Sequence, residues 1–166
     1  MKTLYIIRHA KSDWSDPALS DFDRPLNKRG EKDAPMMGKI LSHAPLRPDI
    51  ILSSPALRAK KTAKIIAEQI GFDTDRIVYD DQLYLADEEE ITHILRDLPS
   101  TAKSVFVIGH NPGVTLFAEQ ISGQEIGNIP TCGVFAVRLK SDEWRSLGKG
   151  SAEFLSFDYP KKHKKH

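Results

Sequence analysis

The chain has 166 residues, about one domain with room for a real hydrophobic core. Its 40% hydrophobic and 28% charged residues have the balance of a soluble globular protein rather than a disordered or fibrous one. A net charge of +1 excludes any general attraction to nucleic acid or an acidic membrane, so an anion would have to be bound by local charge.

A single cysteine, Cys132, excludes an internal disulfide framework and is compatible with a reducing cytoplasm. It reads as a small, partly buried residue. Lys2 is followed by a short apolar run that ends at Arg8, so no signal peptide is expected. No apolar run approaches the roughly 20 residues that span a bilayer. The expected location is the cytoplasm.

Leu4-Tyr5-Ile6-Ile7 has the pattern of a strand buried on both faces, as in a parallel sheet. It stops at Arg8-His9, and such a strand delivers the next residues of the chain to the sheet's carboxyl edge, where open α/β folds bind ligands. Taken alone, Arg8-His9 is equally compatible with a surface pair. Residues 11–26 show no period, and so long a loop points to function or to a lid. Within it, Asp21-Phe22-Asp23-Arg24-Pro25-Leu26 mixes charge with apolar anchors, as a loop folded back on a site would.

A helix is predicted from Lys28 to His43, with Met37, Ile40 and Leu41 inward and Pro35 kinking it or marking its true start. Asp49-Ile50-Ile51-Leu52 is a second buried strand. Ser54 then reads as an N-cap with Pro55 at the first helical position, and Gly71 as the close of that helix. Arg58 falls in its first turn, where a basic residue is unfavourable for the helix but free amides favour an anion. A local rule broken in this way is a hint of function.

Ile77-Val78-Tyr79 is a short strand candidate, and Ile91, Ile94, Leu95 and Leu98 mark an amphipathic helix starting at the acidic cluster 87–90. Acids there complement the helix dipole, a structural role. Val105-Phe106-Val107-Ile108 is a third buried strand, ending at Gly109-His110-Asn111-Pro112-Gly113. Asn111 reads as an N-cap with Pro112 at the first helical position. Val134 to Leu139 and Glu153 to Phe157 complete the strands, and residues 161–166 form a basic, solvated and disordered tail after a domain spanning 1–160.

The predicted architecture is therefore a single α/β domain, a three-layer sandwich with a mostly parallel sheet and helices on both faces. Its edge would gather Arg8, His9, Arg58 and His110. Two arginines can grip a phosphoryl group by forked hydrogen bonds. A neutral imidazole can attack phosphorus and carry the group covalently, and a second histidine can donate to the equatorial oxygens. No metal or other cofactor is required. A zinc site from His9 and His110 lacks a third ligand at plausible spacing and would be repelled by the arginines.

Arg8-His9-Ala10-Lys11-Ser12, Asp23-Arg24-Pro25-Leu26, Ser53-Ser54-Pro55 with Arg58, and Gly109-His110-Asn111-Pro112-Gly113 resemble the histidine phosphatase (phosphoglycerate mutase-like) superfamily. Within it the chain looks most like the short SixA-type phosphohistidine phosphatases, from about Thr3 to Leu155. The resemblance implies His9 as nucleophile, Arg8, Arg58 and His110 as the rest of the phosphate pocket, and Ser12, Ser15 and Asn111 as substrate-binding.

The sequence departs from the superfamily pattern at two places. Ala10 stands where a glycine is usual, and the stretch Gln82-Leu83-Tyr84-Leu85-Ala86 has no carboxylate where relatives carry a glutamate proton donor. An alkoxide leaving group needs that proton, whereas a phosphoramidate nitrogen is basic enough to take its own. The expected substrate is phosphohistidine on a protein, for example a histidine-phosphotransfer domain, and no nucleic acid or membrane partner is expected. A small-molecule phosphomonoesterase and a catalytically weak phosphate-binding module are the alternatives. Asp21, Asp87 and Glu88 are the acids that a loop closure could bring to the site.

Overall fold

Apolar side chains on both faces of the central strands dictate a sheet covered on both sides. The computed structural model, which describes residues 1–45 and 47–164, shows that sheet. Its strands are β1 (Thr3–Arg8), β2 (Ile50–Ser53), β3 (Val78–Tyr79), β4 (Ser104–Gly109), β5 (Val134–Leu139) and β6 (Ala152–Asp158), in the order β3-β2-β4-β1-β5-β6. The first four in that order pair in parallel, while β5 pairs antiparallel with β1 and β6 antiparallel with β5.

Successive residues of each strand feed opposite cores. Leu4, Ile6, Val105, Val107, Phe135 and Val137 face α3 (Glu88–Arg96) and α4 (Gly113–Ser122), with Trp144 closing that layer. Ile7, Ile51, Phe106, Ile108 and Val134 face α1 (Lys28–Leu41) and α2 (Leu57–Ile70). The predicted three-layer α/β architecture is the one observed.

Local starts and stops differ from expectation in instructive ways. Pro35 lies inside α1 without ending it. The carbonyl it leaves without an amide partner belongs to exposed Glu31, where water can replace the lost bond. The true N-cap is Asn27, whose side chain accepts from the Gly30 amide at 2.9 Å. Ser54 and Asn111 are not N-caps: α2 starts after Ala56 and α4 after Pro112. Both polar side chains are drawn instead into the site described below. Gly71 ends α2 in the left-handed conformation at φ 75°, as read from sequence. The acidic cluster caps α3 with a reciprocal capping box between Asp87 and Glu90.

The start of the expected tail is described. Pro160–His163 form a 3-10 turn, and Lys164 Nζ lies 2.9 Å from Asp33 Oδ1. Asp33 is 1% exposed on α1, and a carboxylate so buried requires a counter-charge, which Lys164 and Arg29 provide. Residues 165 and 166 of the predicted tail lie outside the described residues.

Gly113 sets how closely α4 approaches the turn before α3. A Cβ there would stand 1.9 Å from the Ala86 carbonyl oxygen, a backbone atom that cannot swing aside. Gly113→Ala is expected to lower stability by about 2 kcal/mol or more. Gly148→Ala, where an added Cβ meets nothing within 4 Å, should change it little. Thermal melts of both variants check this, and equal melting temperatures would contradict it.

Candidate active site

The ends of β1, β2 and β4 converge because their registers align. Arg8 pairs with Gly109, and Ser53 with Ile108, so His9, Ser54 and His110 leave the sheet side by side. The His9 and His110 rings stand 5.2 Å apart between centroids. Together with Arg58 from the first turn of α2 they border a pocket of about 210 Å³.

His9 is 7% exposed, and its Nδ1 lies 2.7 Å from the Ala10 carbonyl oxygen. A carbonyl can only accept, so Nδ1 carries the proton and Nε2 keeps a lone pair for the pocket. Burial, with the nearby charges of His110, Arg58 and Arg8, pushes the His9 pKa down to about 3. The ring is therefore neutral at physiological pH, the state a nucleophile needs. Its backbone is fixed as well: the Ala10 amide donates to Thr62 Oγ1 at 2.9 Å, and the Thr62 hydroxyl donates to the Arg58 carbonyl at 2.7 Å. One threonine thus ties the strand end to the helix that carries Arg58.

His110 is held by Ser54, whose Oγ lies 2.7 Å from Nε2 and also accepts from the Ala56 amide at 3.2 Å. When the Ser54 hydroxyl donates to Nε2, the His110 Nδ1–H is left as a donor, and Nδ1 is buried without a partner. Burial first, then Arg58, lowers the His110 pKa to about 4, so this ring is neutral too.

Three arginines surround the imidazoles. Arg8 Nη1 donates to the Ile129 carbonyl at 3.1 Å. Arg58 is 3% exposed and donates from Nη1 to the Asp21 carbonyl at 2.7 Å and from Nη2 to Asp21 Oδ2 at 3.0 Å. Arg24 is 6% exposed, donates to Ser12 Oγ at 3.3 Å and stacks on the Trp14 ring at 3.1 Å. The Nε atoms of all three, and Nη1 of Arg24, are buried without a partner. Buried donors left over in this number suit the binding of an anion.

Asp21 is the only carboxylate among the described lining residues. Burial alone would raise its pKa, but the Tyr84 hydroxyl, donating at 2.6 Å, and Arg58 bring it below the usual carboxylate range. It is ionised and serves as counter-ion to Arg58 and to Arg24, whose Nη2 lies 3.3 Å from Oδ1.

Of the residues singled out from the sequence, the structure brings together Arg8, His9, Ser12, Arg58, His110 and Asn111. Ser15 is not among them: it is exposed, and its amide donates to Asp13 Oδ1 in a local turn. Asn111 borders the pocket, but its amide is engaged within the protein rather than left for a substrate. Nδ2 donates to Asn128 Oδ1 at 2.8 Å and to the Ile129 carbonyl at 3.0 Å, and Oδ1 accepts from the Thr115 hydroxyl at 2.6 Å. It positions the Ile129 carbonyl that also receives Arg8. Asp87 caps α3, which removes it as a loop-borne acid.

Sequence reasoning did not place Arg24 in the site. The signal was in the charged and apolar mixture of residues 21–26, yet contact needed the pairing of loop ends. The Asp13 amide donates to the Pro25 carbonyl at 2.8 Å and the Asn27 amide to the Lys11 carbonyl at 3.0 Å, which set Arg24 beside Ser12. Cys132 is fully buried rather than partly so, and its thiol pKa is pushed up to about 12 by burial and by Asp33. Its amide donates to the carbonyls of Arg8 and His9, both at 3.0 Å, and so pins the strand end from beneath.

This geometry, two neutral imidazoles inside a ring of guanidinium groups at a parallel sheet edge, is that of a phosphoryl-binding α/β enzyme. The chain belongs to the histidine phosphatase superfamily (branch 1), whose family model matches residues 4–84. It is 31% identical over 151 residues to an uncharacterized chloroplastic protein of Arabidopsis thaliana, covering 86% of this chain and 69% of that protein. A crystal structure from Agrobacterium tumefaciens, assigned as the phosphohistidine phosphatase SixA, superposes with a TM-score of 0.81 at 28% identity, over 96% of this chain and 98% of that one. The protein histidine phosphatase SixA complexed with tungstate shares the fold, with a TM-score of 0.83 at 23% identity over 98% and 99% of the two chains.

The depressed histidines have a consequence for stability. Above pH 6.5 both rings are neutral whether the chain is folded or not. As pH falls below 6.5 the unfolded chain takes up protons that His9 and His110 refuse until about pH 3 and 4, so stability declines across that window. Each ring contributes a slope of up to about 1.4 kcal/mol per pH unit. Melting temperature should therefore fall from pH 7 to pH 4.5, and the fall should be shallower in His9→Asn and His110→Asn. Parallel curves for the variants and the wild type would show that neither ring is buried neutral.

Proposed function

We propose that the protein is a phosphatase that works through a phosphorylated His9, with phosphohistidine on a protein as its substrate. The observation that carries the reading is the orientation of His9: Nδ1 is committed to the Ala10 carbonyl, leaving Nε2 unprotonated among the arginines. The Nε2 lone pair attacks phosphorus, a P–Nε2 bond forms, and the bond from phosphorus to the leaving group breaks. The leaving group departs with its electron pair and a proton. Water then attacks the phosphorylated His9, the P–Nε2 bond breaks, and inorganic phosphate leaves with His9 restored. The unpartnered guanidinium donors and His110 meet the equatorial oxygens, where negative charge must be stabilised. The likeness to SixA proteins supports this chemistry.

The substrate class rests on what the pocket lacks. Among the described lining residues the sole carboxylate is Asp21, which is ionised by its partners and so holds no proton to give. Tyr84, in the stretch where relatives carry an acid, has its hydroxyl directed at Asp21 and its pKa raised, chiefly by burial. A phosphoramidate nitrogen can be protonated before it departs, whereas an alkoxide must borrow a proton. This favours a P–N bond and disfavours transfer between sugar hydroxyls.

His9→Ala should abolish turnover, and brief exposure of the wild type to substrate should leave an acid-labile, alkali-stable phosphate on the protein. Arg8→Lys and Arg58→Lys keep the charge but lose the fork, and each should lower kcat/KM by roughly 10²-fold or more and weaken inhibition by vanadate. Near wild-type turnover by His9→Ala would overturn the nucleophile assignment.

The missing acid predicts a rate pattern as well. Phosphoramidates and aryl phosphates with acidic leaving groups should be cleaved at least roughly 10²-fold faster than alkyl phosphates. Rates among esters should fall steeply as leaving-group pKa rises. Comparable kcat/KM for alkyl and aryl esters, read from steady-state assays, would identify a general phosphomonoesterase instead.

A further inference from the structure

The turn between β3 and α3 breaks a local rule of backbone conformation at Leu85. The Ala86 amide donates to the Leu83 carbonyl at 3.2 Å, Tyr84 has φ −64° and ψ 114°, and Leu85 has φ 55°. These values describe a type II turn, whose third position requires a positive φ and is normally glycine or asparagine. A leucine there is strained by its Cβ. Packing does not offset that strain, because Leu85 is 56% exposed.

Leu85 nevertheless has a definite location, at the mouth of the phosphoryl pocket. Trp14 lies at the same mouth, 71% exposed, from the loop that follows β1. Phe22, 38% exposed, stands edge-on to Tyr84 with ring centroids 5.1 Å apart, next to Leu85 in the chain. Two separate loops therefore surround a cationic pocket with apolar side chains held in water.

We infer that Leu85, with Trp14 and Phe22, forms a docking collar for a protein surface whose phosphorylated histidine is flanked by apolar residues. The pocket itself points to that occupant. Whatever carries the phosphoryl group must deliver it past this rim, with the anion meeting the arginines at the centre and the flanking surface meeting the collar. A small hydrophilic phosphate would fill the centre and leave the rim wet, gaining nothing from the strained leucine. A protein surface removes that apolar area from water. The inference rests on the phosphatase reading and adds to it the means of substrate choice. Leu85 is in this sense a specificity-determining residue and takes no part in the bond changes.

The test compares a histidine-phosphorylated phosphotransfer domain with free phosphohistidine, in which the P–N bond is the same and only the flanking surface differs. Leu85→Gly and Leu85→Asn both suit the turn and remove the apolar side chain. Both should fold, with a melting temperature at or above that of the wild type. Both should raise KM for the phosphorylated domain roughly tenfold, the loss expected for one apolar rim contact, with kcat little changed. Their kcat/KM on free phosphohistidine should stay within about twofold of wild type, as the reacting groups are untouched.

An equal loss on both substrates would overturn the inference by assigning Leu85 to the pocket itself. No loss on either would overturn it by showing an idle rim. In both of those cases the phosphohistidine reading stands. A wild type that cleaves neither P–N substrate yet hydrolyses aryl phosphates would overturn that reading and the collar with it.

Discussion

The register between β1 and β4 is the constraint on which the site depends. Thr3 through Arg8 pair in parallel with Ser104 through Gly109, and every residue of β4 is buried. Because side chains alternate between faces, a slip of one residue would carry Ile6 and Val107 out of one core and Ile7 and Phe106 out of the other. The two helical layers therefore lock the pairing. With the pairing locked, His9 and His110 emerge next to each other, and β2, tied to the far side of β4, brings Ser54 under His110. The placement of the reactive groups is inherited from core packing rather than from contacts between the groups themselves.

That placement creates an electrostatic problem that the local structure resolves unevenly. Arg8, Arg24 and Arg58 are crowded round a small pocket, and among its described lining residues Asp21 is the sole carboxylate to oppose them. Both histidines stay neutral, first because they are buried and then because of these charges. The guanidinium groups cannot discharge, so their surplus donors remain buried and unpaired. A phosphoryl dianion would satisfy both the charge and the donors. The Tyr84 hydroxyl and then Arg58 keep Asp21 ionised, so it cannot act as an acid, and the pocket that binds phosphoryl groups well is poor at protonating an alkoxide.

Much of the fold could be read along the chain. The apolar runs of β1, β2 and β4, the terminal Gly71 of α2 and the start of α3 at the acidic cluster 87–90 all act through near neighbours, and each lies where the chain predicts it. The errors lie where a side chain had two competing partners. Ser54 and Asn111 had the composition of N-caps, but distant groups claimed them: His110 in one case, and Asn128, Ile129 and Thr115 in the other. Ser15, which the resemblance sets near a phosphate, is exposed, with its amide in a local Asx turn on Asp13.

The chemistry available, and the strand end from which each part of it emerges, can be read from the order of residues in the chain. Arg8, His9, Arg58 and His110 are marked by strand termination and by a helix start that a basic residue does not suit, both of which are local events. Folding adds the rest: which nitrogen of His9 is free, that Arg24 joins the pocket, that Asp21 is a counter-ion and that Leu85 stands strained at the rim. Those facts depend on groups many residues apart in the chain, such as Tyr84 with Asp21 or Arg58 with Asp21. Their energies come from burial and from charges meeting across loops, and neither has a periodic trace in one dimension.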